Sequence, residues 1–90
     1  MTESIDHKRK RLKMRSMRRG IKEMDLILIR YSDLYLATMS EAALDHYDAL
    51  LSENDQDLYQ WCSGQVAPKA EFADVIDHIK QMIETENGVA

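Results

Sequence analysis

Apolar side chains recur at helical spacing along nearly the whole chain. Ile21, Met24, Leu28, Tyr31 and Tyr35 step by three or four, which predicts a long helix over residues 20–36, with Ile27 and Leu34 widening its apolar face. The run Leu26–Ile29 would suit a buried strand if read alone, but it sits inside this period. This helix is expected to be the central and most buried one. Before it, residues 7–18 predict a basic helix with a narrow stripe of Leu12, Met14 and Met17. Thr38 and Glu41 stand at capping-box spacing and Ser40 offers a competing cap, so a third helix is expected to begin near residues 39–41 and continue to about Ser52, with Leu44, Tyr47, Leu50 and Leu51 inward. The cluster Glu53-Asn54-Asp55 breaks it. Asn54 or Asp55 then caps a short helix that turns Leu58, Trp61 and Cys62 inward and ends at Gly64, in the left-handed conformation. Pro68 opens a last helix carrying Phe72, Val75, Ile76, Ile79, Met82 and Ile83, which stops near Asn87-Gly88.

Ninety residues can build one core, and short connections make neighbours of consecutive helices. The expected fold is therefore all-α, a small five-helix bundle in a single domain over residues 1–90, with flexible ends. Charge divides this chain unevenly. Residues 1–22 hold nine Lys and Arg against two acids, and residues 23–90 hold three against fourteen. A basic arm on an acidic body repels polyphosphate beyond the arm, and no aromatic side chains interleave with the basic ones, so nucleic acid is not the expected partner. No apolar run nears the ~20 residues that cross a bilayer, so no membrane insertion is expected. The basic first 22 residues carry Glu3 and Asp6 and run into structured periodicity, and they read as mature protein rather than a transit peptide. A single cysteine, Cys62, suits a reducing cytosol or organelle matrix.

Catalytic signatures are absent: no Gly-rich phosphate loop, no Cys/His metal quartet and no nucleophile elbow occur. His78 follows Asp74 by four and Asp77 by one, but lacks further ligands in reach, and an ordinary solvated histidine is expected; His7 and His46 carry less signal still. Cys62 is expected to be a buried core thiol, and Tyr59, out of phase with Leu58 and Trp61, is the aromatic expected at the surface. The feature left over is the junction Arg15-Ser16-Met17-Arg18-Arg19-Gly20-Ile21-Lys22-Glu23. Arg19 and Glu23 stand four apart and would project from one helical face, with Gly20 leaving backbone bare for a partner and permitting a bend between helices. The plainer reading makes Gly20 a helix end and Arg19–Glu23 an intrahelical bridge, although Arg before Glu is the poorer order for one.

Two blocks of residues carry a family resemblance. Arg18-Arg19-Gly20-Ile21-Lys22-Glu23-Met24-Asp25 and the later stretch Leu50 to Trp61, an acidic turn followed by Asp57-Leu58-Tyr59-Gln60-Trp61, resemble the succinate dehydrogenase assembly factor family across residues 8–85. Gln56 and Ser16 depart from the family's usual residues. The resemblance implies a helical chaperone, not an enzyme, that binds the flavoprotein subunit of succinate dehydrogenase, and in some bacteria fumarate reductase, and promotes covalent attachment of FAD to a partner histidine. No cofactor is expected to bind tightly to the chain itself, a monomer is expected, and the expected location is the cytoplasm of a bacterium, or the mitochondrial matrix if the source is eukaryotic. On this reading Arg19, Gly20 and Glu23 form the partner-binding motif, and Arg15, Arg18 and Lys22 steer the encounter. The competing expectations are a small nucleic-acid or ribosome-associated protein that uses the basic arm, and an antitoxin-like regulatory adaptor.

Overall fold

The structure, a computed structural model, describes residues 3–88. It contains five α-helices and no strand among the described residues: α1 (Ile5–Arg15), α2 (Lys22–Tyr35), α3 (Glu41–Leu51), α4 (Asp55–Cys62) and α5 (Ala73–Gly88). The expected all-α bundle is the fold found; the termini expected to be flexible lie largely outside the described residues.

Caps decide where the helices begin. Ser4 accepts from the His7 amide at 3.1 Å, Ser40 from Ala43 at 3.1 Å and Asn54 from Gln56 at 2.8 Å, each satisfying an otherwise orphaned donor. Ser40, not Thr38, caps α3, because residues 36–38 are wound into a 3₁₀ turn. Gly64 takes φ +83°, the left-handed position expected after α4. Pro68 does not open α5 directly: Lys69 is extended and a 3₁₀ turn, Ala70–Phe72, comes first and delivers Phe72 into the core. The core gathers Leu12, Met24, Leu28, Tyr31, Leu44 and Tyr47 with apolar residues of α4 and α5.

Two expectations need correction. Helix α2 is central, touching α1, α4 and α5, but Leu34 does not widen its buried face: it is 41 % exposed, and Leu26 61 %. In α1 only Leu12 reaches the core, while Met14 is 74 % exposed, because α1 is held mainly by charge. Lys8 Nζ donates to Asp45 at 2.6 Å and Glu41 at 3.2 Å, and Arg11 pairs with Asp48 at 3.1 Å and Glu3 at 2.9 Å. Arg15 also reaches Asp48, Lys13 pairs with Asp33, and Arg9 donates to the carbonyls of Leu36 and Met39 at 3.0 and 3.1 Å. The basic arm is thus the electrostatic counterpart of the acidic body, chiefly of α3.

The break between α1 and α2 is made by a residue other than the one expected. Arg18 takes φ +54°, whereas Gly20 does not adopt a positive φ. Ser16, fully buried, stops α1 by donating its hydroxyl to the Leu12 carbonyl at 2.8 Å, and it shares a 2.6 Å hydrogen bond with the Tyr47 hydroxyl. Burial pushes that phenol up to about 12, so it stays protonated within the pair.

Two outcomes follow from these contacts. A non-glycine residue in the left-handed region is strained, so Arg18→Gly should raise stability by up to about 1 kcal/mol, read as a higher denaturant midpoint. The Arg11 and Arg15 guanidiniums hold the Asp48 carboxyl below its ordinary value of 3.8. Its folded value lies under its unfolded one, so the stability it supplies is complete above the unfolded value and is lost as pH falls through the folded one. Chemical denaturation should show stability falling below about pH 4, with a shallower fall in Asp48→Asn.

Candidate functional site

The two blocks far apart in sequence meet in space. Arg19 is 12 % exposed at its side chain, and it turns inward rather than out. Its Nε donates to Asp55 Oδ1 at 2.7 Å, while its terminal nitrogens donate to the carbonyls of Arg15 at 3.1 Å, Leu51 at 2.9 Å and Glu53 at 3.4 Å. The other oxygen of the same carboxylate, Asp55 Oδ2, accepts the Gly20 amide at 2.7 Å. One carboxylate at the first turn of α4 therefore clips the α1–α2 junction to the α3–α4 turn. The clip is reinforced from α2, where Asp25 accepts the Arg19 amide.

The clip overturns the expected geometry of the motif. Arg19 and Glu23 do not form an ion pair, because Arg19 is engaged with Asp55 and three carbonyls across the junction. Arg15 likewise lies against Asp48 and Ser52 instead of projecting as a steering charge. Gly20, Glu23, Arg18 and Lys22 are exposed at the junction and the start of α2. A Cβ at Gly20 would stand 3.4 Å from Asp55 Oδ2, ordinary contact, so the bundle itself does not demand glycine there. Sequence reasoning treated Asp55 only as a cap. The available signal was one of complementary charge: the first block holds Arg19 and the second, with three acids and no cation, holds Asp55.

The other candidates resolve simply. Burial pushes the Cys62 thiol up to about 12, as expected of a core cysteine. His78 accepts or donates a 2.8 Å hydrogen bond with the Tyr31 hydroxyl and packs on Tyr35, with ring centres 4.4 Å apart. Among the described residues no group of three His, Cys, Asp or Glu could hold a metal, and no helix is long and apolar enough to cross a membrane. Tyr59 is half-buried against the core, less exposed than its phase implied.

Removing either side of the clip strands the other in a largely water-free site. Arg19→Ala and Asp55→Ala should each cost about 2 kcal/mol or more, and the double variant less than their sum, measured by equilibrium denaturation.

The family model described as flavinator of succinate dehydrogenase matches residues 10–83. The chain is 51% identical over 61 residues to a protein of Debaryomyces hansenii named succinate dehydrogenase assembly factor 2, mitochondrial, covering 68% of this chain and 43% of that one. The protein of the same name in Danio rerio is 38% identical over 88 residues, covering 94% of this chain and 56% of its own length. The Candida glabrata protein is 49% identical over 61 residues, 68% of this chain and 40% of that relative. The chain thus spans about half the length of the curated relatives it matches. With a match running from α1 to α5 and both signature blocks joined at one clip, the chain belongs to the family of flavinators of succinate dehydrogenase.

Proposed function

We propose that this chain is a maturation factor, without catalytic chemistry of its own, that docks on the flavoprotein subunit of succinate dehydrogenase and promotes covalent attachment of FAD there. The observation that carries the reading is the bare Gly20 backbone, fixed at the surface by Asp55, with the Glu23 carboxylate exposed one helical turn on. A partner backbone can approach Gly20 closely, and a partner donor can meet Glu23. Arg18 and Lys22 flank this edge as exposed cations and speed the encounter, while Arg19 acts from beneath by holding Gly20 in place. FAD is the partner's cofactor and supplies the reactive carbon. The docked factor would contribute by holding the partner's flavin-binding parts in a reactive arrangement, where displacement by about 1 Å can cost about 100-fold in rate.

Fumarate reductase, which has the same flavin chemistry, is the second proposed client. The relatives are named as mitochondrial, which supports a mitochondrial location and lends no support to a bacterial cytoplasm. Most cations of α1 are spent on Glu3, Asp33, Asp45 and Asp48, so the arm retains little charge with which to grip nucleic acid.

The test is reconstitution of the apo flavoprotein subunit with FAD, followed by flavin fluorescence in a denaturing gel. Covalent flavin should accumulate faster with this chain present. Glu23→Ala and Gly20→Arg should lower that rate about tenfold or more at unchanged fold stability, since both positions are exposed. Equal flavinylation with both variants would remove this edge from the function.

A further inference from the structure

Beyond Glu23 the surface continues as a groove of about 470 Å³ between α2 and α5. Leu26, Ile27, Tyr59, Met82 and Ile83 line it, with Glu23 at one end. Leu26 is 61 % exposed, a large apolar side chain left largely uncovered by the described residues. At the far side Arg30 and Glu86 pair across the groove at 2.8 Å, so their charges are mutually satisfied. Glu23 has no cationic partner among the described residues. The rim therefore carries one uncompensated negative charge beside an apolar floor.

We propose that this groove receives an amphipathic helix of the flavoprotein partner, with apolar side chains on Leu26 and Ile27 and a Lys or Arg against Glu23. The inference rests on the docking function above and extends that edge along α2. A helix fits because the walls are themselves helices: along α2 the groove runs from Glu23 past Leu26 and Ile27 to Arg30, about 10 Å of rise, roughly two turns of a third helix. A basic end fits because Glu23 is the one charge without a partner among the residues that line the groove, which do not include Arg18 and Lys22. A second copy of this chain is the poorer occupant, since its own basic helix has Lys8, Arg11 and Arg15 committed to internal carboxylates.

Binding of the whole chain to purified apo flavoprotein subunit, measured by titration calorimetry, tests this. Leu26→Lys should weaken binding about tenfold or more, and Leu26→Ala by a smaller factor, at unchanged thermal stability. Glu23→Gln should weaken it about fivefold at low salt, with the gap closing as salt rises. Met14→Lys, at a side chain 74 % exposed on α1, should leave binding unchanged. Affinity of both Leu26 variants within twofold of the parent would overturn the groove while leaving the Gly20–Glu23 edge standing. Sedimentation that shows a dimer of the free chain abolished by Leu26→Lys would overturn it too, giving the groove to a second copy. No binding by the parent chain would bring down the functional reading and this inference with it.

Discussion

A single carboxylate, that of Asp55, receives both the Arg19 guanidinium and the Gly20 amide, each at 2.7 Å. It stands at the first turn of α4, where the helix dipole already favours a negative charge, so the position costs little to maintain. From there it binds a segment that has no regular hydrogen bonding of its own, the turn between α1 and α2. Arg19 adds the carbonyls of Leu51 and Glu53, which end α3 and would otherwise face solvent or go unpaired. Four helices thus meet at one charged pair that is largely screened from water, where removing either partner leaves the other's charge buried and unpaired.

The charge asymmetry of the chain has the same logic on a larger scale. Helix α1 contributes one fully buried Leu12 and little else apolar, too little to hold it by the hydrophobic effect alone. Its cations instead meet Glu41, Asp45 and Asp48, which α3 presents at three- and four-residue spacing. What looks in the sequence like an arm for an external polyanion is spent on the protein's own surface. Pairs of this kind are individually modest where exposed, but a network that shares Asp48 between two arginines fixes the register of α1 on α3.

This arrangement separates a buried layer from an exposed one. Arg19 and Asp55 lie beneath; Gly20 and Glu23 lie above, and their exposure depends on the turn staying closed. The strained Arg18 conformation belongs to the same turn, and strain persists only where surrounding contacts over-determine the backbone. Beyond the turn, α2 runs from Glu23 past the exposed Leu26 to Arg30 along the groove, so one helix displays both the polar edge and the groove.

Periodicity alone determined much of this protein. Three-four spacing located all five helices and nearly the whole core, because burial of one helical face is a local pattern written in consecutive residues. Ser40, Asn54 and Gly64 were legible for the same reason: a cap acts on residues two to four positions away. Tertiary structure decided the rest. Spacing placed Arg19 on a face with Glu23, but a long side chain goes to its best partner in space, and that partner lies 36 residues along the chain. Which residue would bend left-handed, whether the arginines of α1 were free, and which face of α2 stayed bare were likewise settled by packing between distant segments, which no local pattern encodes.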